Sequence, residues 1–489
     1  MLNGIIKYGC GLLLACFVTA GCNKLENMNI DPTKPVNTEP AYLLTGAEKS
    51  AMDILYSGLQ NGFIGSHFAQ YWSGNTRTND SQYLLDENNN TALWNTMYTV
   101  VIHNLNEIIR LAQTDPPQDS SAVNQIAISY ILKTWAFQIL TDTYGNVPYS
   151  DAVKGDANIQ PKYDDARAIY TGLLDTLQQQ LAVMDENRPG FGSGDVIFNG
   201  DVAAWKKLGH SLALRLAIRL ADADPATAKS VIEANYTNAM TSNADNAQFQ
   251  YLTTAPNKYP QNDSERDILD FFVSATMVDY LKATEDPRLE VYVRPAADGS
   301  GYVGMPYGTA ASNPSRKSSD SYSWPGTRIY AADMVGILMT YPEVEFILAE
   351  AAARGMAVGD AATHYNAGVT SSLEYWGITN TDTVNSYLAR VPYTAGDWRN
   401  VIGTQKWLAL YPQGFQGWFE RTRLDFKKPD GTDLFIAPVD GSLDQNVTFV
   451  PFRLTYPTAE QQQNTIHYQE AASAIGGDTK GTRLFFNKR

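Results

Sequence analysis

Past residue 22 the chain contains no cysteine: Cys10, Cys16 and Cys22 are the only three in 489 residues. A disulfide framework or a cysteine metal site is therefore excluded downstream. Positive charge is scarce as well. There are 37 Lys+Arg against 52 Asp+Glu, a net charge of -15 at pH 7 and a pI of about 4.8, and such a chain is repelled by the phosphate backbone of nucleic acid. The five histidines, His67, His103, His210, His364 and His467, have no metal-ligand spacing. The sequence has no G-x-S-x-G, Walker A or H-E-x-x-H pattern, which removes the commonest signatures of hydrolase, nucleotide and zinc chemistry. After residue 22 no run of 18 apolar residues occurs, so nothing there reads as a membrane-spanning helix.

What is present is a chain with 44% apolar residues, long enough for one large domain or two to three ordinary ones, each with a core. The start reads as a signal peptide over 1–21. Lys7 gives a sparse positive region, and Gly11 to Val18 is an apolar run too short to span a bilayer comfortably. Thr19-Ala20-Gly21-Cys22 resembles a bacterial lipobox, with Thr19 where leucine is usual. Cys22 is thus expected to become the lipidated first residue, which anchors the mature chain by acyl chains; the alternative is an ordinary signal peptide with an incidental cysteine. Residues 23–40, NKLENMNIDPTKPVNTEP, hold three prolines and four asparagines and read as a tether.

From Ala41 the texture is helical. Ile128, Ile131, Leu132, Trp135, Ile139 and Leu140 form one stripe that stops at Tyr144-Gly145-Asn146. Trp205, Leu208, Leu212, Leu216 and Leu220 form another, with Arg215 and Arg219 on its flank. Thr340 and Glu343 fit a capping box, opening a helix with Val344, Ile347, Leu348 and Ala351 on its core face and Gly355 at its end. Segments 164–185, 226–240, 361–376 and 402–424 share the period, and short strand signals lie at 248–252, 291–294 and 447–455. The fold class is mostly α, built from helix hairpins as degenerate tetratricopeptide-like units. Tyr (28) outnumbers Phe (18), which predicts some tyrosines at a wet surface.

Two stretches break the helical texture. Residues 294–328 hold five Gly, seven Ser and four Pro, yet they also carry Tyr302, Tyr307, Tyr322 and Trp324, with Tyr330 just beyond, which a solvating linker lacks. From His67 to Trp94, the rings of Tyr71, Trp72 and Tyr83 alternate with Asn75, Arg77, Asn79 and Asp80. Rings beside amide, guanidinium and carboxylate groups suit a sugar, whose C–H face takes the ring and whose hydroxyls take the polar groups. Aromatics that only anchor loops are the other explanation. Gly190 to Gly194 lacks the spacing of a dinucleotide loop and reads as a connector. Glu343 and Glu350 are about 10.5 Å apart on one helix face by the 1.5 Å rise, slightly wide for an acid/base pair, and are expected to be solvated. Asp430-Gly431-Thr432-Asp433 is too short for a calcium loop and reads as a turn.

Five phrases in order carry a resemblance: Tyr144-Gly-Asn-Val-Pro-Tyr-Ser-Asp-Ala152, Trp205-Lys-Lys-Leu-Gly-His-Ser-Leu-Ala-Leu-Arg215, Tyr341-Pro-Glu-Val-Glu-Phe-Ile-Leu-Ala-Glu-Ala351, Gln405-Lys-Trp-Leu-Ala-Leu-Tyr411 and Arg453-Leu-Thr-Tyr-Pro457. With the lipobox and the helix hairpins, they make the chain resemble the SusD/RagB superfamily of outer-membrane nutrient-binding lipoproteins, in its second SusD-like branch, over nearly its whole length. Asn146, Thr422 and Phe452 depart from that pattern. The resemblance implies a single α-α superhelical domain over 41–489, with four tetratricopeptide-like pairs, a few short strands and long ligand-binding loops. It implies no catalysis and no cofactor. It also implies a cell-surface lid, lipid-anchored at Cys22, on a SusC-type TonB-dependent outer-membrane transporter, capturing a glycan or other nutrient. Lys24 and Glu26 are similar to an export signal for surface lipoproteins. By region, loops at 70–83 and 300–330 would hold the ligand: Trp72, Tyr322 and Trp324 stacking, Asn75, Arg77 and Arg328 hydrogen-bonding, with Tyr83 beside them. The alternatives are the same lid for a peptide or glycopeptide, a secreted glycoside hydrolase, and a structural adaptor whose two loops stay apart with buried aromatics.

Overall fold

The amphipathic segments pair as antiparallel helices in a computed structural model that describes residues 38–262 and 270–489. The signal segment, Cys22 and the tether up to residue 37 lie outside the described residues. Helix α1 (Pro40–Leu55) starts on a proline, whose fixed φ and missing N–H suit the first helical turn. There follow α2 (His103–Thr114), α3 (Ala122–Tyr144), α4 (Ala166–Val183), α5 (Val202–Leu220), α6 (Pro225–Asn235) and α7 (Ala275–Ala283). The C-terminal half adds α8 (Tyr341–Ala353), α9 (Ala361–Tyr375), α10 (Thr381–Arg390), α11 (Trp398–Ala409) and α12 (Gly414–Leu424). Aspartates 165, 201, 224 and 360 cap α4, α5, α6 and α9 by accepting backbone N–H bonds. Helix α3 stops where expected, at Gly145 with φ 88°. The pairs α2–α3, α4–α5, α8–α9 and α11–α12 pack side by side, so the mostly α, tetratricopeptide-like architecture expected from the sequence is the one observed.

The sheets are minimal. Strand β1 (Trp72–Gly74) pairs antiparallel with β3 (Phe271–Val273), and β2 (Ala247–Gln250) with β4 (Val335–Met339). Of the three strand signals only 248–252 coincides with a strand. Residues 289–292 form a helical turn followed by a lone bridge from Val293 to Pro325, and 447–455 is irregular. The run 402–424 is two helices, because Pro412 has no N–H to continue the first.

The largest departure from expectation is electrostatic. Glu343 and Glu350 are buried rather than solvated, and so are Arg215 and Arg219. Arg215 grips both oxygens of Glu343 (2.7 and 2.6 Å) and the carbonyl of Leu338 (2.9 Å). Glu343 therefore does not serve a capping box, and the hydroxyl of Thr340 has no hydrogen-bond partner among the described residues. Arg423 donates to both oxygens of Glu350 (2.7 and 2.6 Å) and to Glu420 (2.6 Å). Glu420 also meets Lys406 at 3.1 Å and Arg219 at 4.0 Å, while Arg219 pairs with Asp142. Four buried carboxylates thus face four buried cations on α3, α5, α8, α11 and α12. The neighbouring cations hold Glu350 and Glu420 below the ordinary carboxylate range against the opposing effect of burial.

The tyrosines divide between surface and core. Tyr42 is exposed, but the hydroxyls of Tyr56, Tyr71, Tyr144, Tyr292 and Tyr365 donate to backbone carbonyls of distant segments from buried positions. Each fills core volume with its ring and satisfies a carbonyl with its tip.

Two measurements follow. Removing one partner of a buried ion pair strands the other charge, so Glu350→Ala is expected to destabilise by about 3–5 kcal/mol in a denaturant titration; no change in midpoint would refute the network's role. His67 is buried, has no well-formed hydrogen bond at either ring nitrogen among the described residues, and its pKa is pushed down by burial to about 3 from 6.5. The folded chain therefore refuses a proton that the unfolded chain takes, and stability from neutral His67 is lost as pH falls below 6.5 toward 3. The difference in Tm between wild type and His67→Leu is expected to move in favour of the variant between pH 6.5 and 5, above the range in which Glu350 and Glu420 titrate; a difference independent of pH would contradict this.

Candidate functional site

The segment that carries the first loop is held from below by α11 and α12. The indole of Trp407 donates to the carbonyl of Ala69 (2.8 Å), Arg421 donates to that of Phe68 (2.7 Å), and the Tyr71 hydroxyl bonds the carbonyl of Trp407 (2.5 Å). Chain 67–71 is thereby fixed before it enters β1. Two glycines allow the close approach: a Cβ on Gly417 would meet the Tyr71 hydroxyl oxygen at 2.4 Å, and one on Gly65 the backbone of Phe415 at 2.7 Å.

Strand β1 then brings the two irregular loops together. Ser73 lies opposite Phe272 in the register with β3, and Asn75, just past the end of β1, donates its N–H to the carbonyl of Asp270 (2.8 Å). Trp324 from the second loop packs on Phe272, ring centroids 4.3 Å apart, and Tyr322 on the same ring at 5.2 Å. Arg316 donates to the carbonyl and the side-chain oxygen of Asn75 (2.6 and 2.8 Å), and Ala311 N–H to the hydroxyl of Thr78 (3.2 Å). Asp440 accepts from Ala310 N–H (2.7 Å) and from the Asn313 amide (2.8 Å to each oxygen). The 310–316 stretch is thus clipped at both ends along the first loop.

The seven residues expected to bind ligand divide. Trp72 is buried between Phe271 and the stacked ring of Tyr330 (5.8 Å, 19°), and its indole N–H donates to Tyr411 (3.1 Å). Tyr83 is buried with its hydroxyl on the carbonyl of Phe449 (2.6 Å), and Tyr322 is buried against Phe272. None of these three offers a free ring face; they are corrected to core and loop-anchoring positions. Trp324, Asn75 and Arg77 are half-buried, and Arg328 is exposed, its guanidinium 5.1 Å from the Trp376 ring. Asn75, Arg77 and Trp324 belong to the loop junction, whereas Arg328 turns to a different neighbour.

Beside the junction lies a groove of 570 Å³ lined by Thr76, Arg77, Asn79, Asp80, Leu84 and Asp86, with Ala311 from the second loop. Arg77 bridges Asp80 and Asp86, each at 2.9 Å, and its guanidinium lies 4.3 Å from the Phe63 ring. Burial pushes Asp80 up to about 6 in spite of that guanidinium. The groove thus sets polar side chains beside a leucine flank, an arrangement suited to hydroxyl-rich ligands. Among the described residues no group of three or more His, Asp or Glu could hold a metal ion. Arg316, Asp270 and Phe272 escaped the sequence reading. Phe272 lies in the run Phe271-Phe272-Val273, which carries an ordinary strand signal, whereas nothing local marks Arg316.

Comparison with known proteins agrees with this architecture. No curated protein matches the chain. Among solved structures, a chitin-binding protein superposes with a TM-score of 0.82 at 27% identity, covering 92% of this chain and 100% of its own. A SusD homolog from Bacteroides uniformis gives 0.80 at 24%, covering 92% and 100%. A chitin-binding SusD homolog from Flavobacterium johnsoniae gives 0.79 at 23%, covering 91% and 98%. Residues 32–457 match a family model described as starch-binding, associating with the outer membrane. By that match, which takes in all four helix pairs and both loops, the chain belongs to the SusD-like family.

Proposed function

We propose that this protein is a non-catalytic glycan-binding lipoprotein of the outer membrane. It is anchored through Cys22 with residues 41–489 as one domain facing the cell exterior, and acts as the lid of a SusC-type TonB-dependent transporter. The observation that carries this is the junction of the two loops. Half-buried Trp324 sits on Phe272 next to Asn75, Arg316 and the groove at Arg77, which supplies one ring face and a set of planar hydrogen-bonding groups for a pyranose. A pure adaptor with its loops apart is a poor fit to this packing. Support for a carbohydrate ligand comes also from the chitin-binding protein at 27% identity. The tether of prolines and asparagines after Cys22 has the composition that a hinged lid requires.

The way the groove's acids are used supports the non-catalytic reading. A glycosidase needs two carboxyl groups that reach the scissile bond. Asp80 is only 2% exposed, and both Asp80 and Asp86 are engaged by Arg77. Neither is free to deliver a proton to a bound sugar.

In calorimetric titrations of residues 23–489 with neutral oligosaccharides of starch and chitin type, Trp324→Ala is expected to weaken binding about tenfold or more, ~1.4 kcal/mol, with its Tm little changed. Trp72→Ala is expected instead to destabilise the fold by about 3–5 kcal/mol. Binding to wild type that Trp324→Ala leaves intact would contradict the site, and binding of peptides in place of glycans would contradict the ligand class. No shorter oligosaccharide is expected after prolonged incubation; release of one would contradict the assignment as a binding protein.

A further inference from the structure

Among the described residues six arginines are buried with almost no exposure, and five of them meet a carboxylate. Arg215 has Glu343 (2.6 Å), Arg288 has Asp286 (2.7 Å), Arg423 has Glu350 (2.6 Å), Arg453 has Asp478 (2.5 Å), and Arg219 has Asp142. The sixth is Arg421 of α12, 2% exposed, and among the described residues its partners are all neutral. One N–H goes to the carbonyl of Phe68 (2.7 Å), and the Tyr83 hydroxyl lies beside the guanidinium. The rings of Phe435 and Phe449 stand 4.4 and 5.1 Å from it. Burial pushes the Tyr83 and Tyr307 hydroxyls up, so neither ionises to balance the charge. A guanidinium keeps its proton in a protein, and a buried charge with no counter-ion is costly.

That charge stands in the wall of a cavity of 290 Å³, where Arg421, Arg483 and Arg489 face a single acidic side chain, Asp425. Asp425 is exposed at the end of α12, and among the described residues it has no ion pair. Arg483 is exposed, 4.3 Å from the Phe452 ring, and donates to the main-chain oxygens of Asn487 (3.4 Å) and Arg489. Arg489 reaches Asp222 (3.1 Å), which Arg354 already holds (2.9 Å). In a chain of net charge -15 the cavity is thus a local excess of positive charge, and its low-dielectric walls focus that field onto an incoming anion. Nε and Nη2 of Arg421 are sealed from solvent, so it acts on the cavity through its field and not by contact. Tyr83 joins the cavity to the groove at Arg77. Its hydroxyl donates to the carbonyl of Phe449 (2.6 Å) in the cavity wall, and the next residue, Leu84, lines the groove.

We infer that this cavity seats the oxyanion of an acidic sugar, a uronate or a sulfated residue of a glycan, between Arg483 and Arg489, with Arg421 as the unbalanced charge behind it. The inference rests on the glycan reading above for the ligand class, and adds a charge requirement at a separate place. The probes are tetragalacturonate, its neutral methyl ester and a tetramer of sulfated galactose, titrated into residues 23–489. Wild type is expected to bind the acidic tetramers, with affinity falling as salt is raised, and the methyl ester at least tenfold more weakly. The better of the two acidic tetramers tells whether carboxylate or sulfate is the preferred oxyanion. The double variant Arg483→Gln/Arg489→Gln, at exposed positions, is expected to weaken acidic binding about tenfold and to leave a neutral N-acetylglucosamine tetramer as in wild type. Arg421→Met is expected to weaken it about fivefold. Because Arg421 also holds the first loop, its Tm is recorded in parallel, and the exposed double variant decides if Arg421→Met does not fold.

Equal affinity for tetragalacturonate and its ester, affinity indifferent to salt, or unaltered binding of the acidic tetramers in the double variant would each overturn the inference. If the neutral tetramer binds and neither acidic one does, only this inference fails. If no neutral glycan binds but an acidic tetramer does so in an Arg483-dependent way, the inference stands and the neutral ligand class fails. A glutamate tetrapeptide bound with that same dependence in place of the sugars would overturn the saccharide assignment.

Discussion

The structure depends on a charge balance in its interior. Arg215, Arg219, Lys406 and Arg423 answer Asp142, Glu343, Glu350 and Glu420 with almost no exposure. Such a set has high desolvation costs, so it is tolerated only when every member is matched, and a missing partner leaves a charge in low dielectric. The geometry that matches them also fixes how α5, α8, α11 and α12 cross. At its edge Glu350 passes to Arg354 (2.9 Å), which reaches Asp222 (2.9 Å) nearer the surface. Hydrophobic surfaces alone permit helix pairs to slide by small amounts; bidentate arginine–carboxylate contacts do not.

That rigidity reaches the site through two helices. With α11 and α12 set, Trp407 and Arg421 hold the chain at 68 and 69, Tyr71 returns a bond to α11, and the indole of Trp72 bonds Tyr411 in the connection between them. Strand β1 emerges in one position, and its pairing with β3 creates the shelf on which Trp324 rests. The second loop, though long and poor in regular structure, is then clipped by Arg316 to Asn75 and by Asp440 to Asn313. A binding surface on loops gains its precision from such fixed attachments.

The helices were legible because their apolar residues recur at the helical period and their ends carry aspartate caps, glycine or proline. Strands of three to five residues give few positions for an alternation to stand out, and of the four only β2 was picked out. Glutamates 343 and 350 looked solvated because one sequence segment shows a helix's charges and not the cations that meet them, here on helices 128 and 73 residues away. The loop aromatics were misassigned for a related reason. Polar residues between Trp72 and Tyr83 suggested a surface, yet the backbone folds back so that the rings go under and the amides stay out. Trp324 could not be told from Tyr322 by composition; both rings pack on Phe272, and only the depth to which each is buried separates them.

The central claim is that the meeting of the two loops is where glycan is held. Hydrogen exchange of residues 23–489 with and without a saturating chitin or starch oligosaccharide tests it without any substitution. Slowed exchange concentrated at 74–80 and 310–325, with the backbone of α4 to α6 unaffected, is the predicted result. Protection centred on the helix pairs, or none at either loop while binding is measurable, would contradict it.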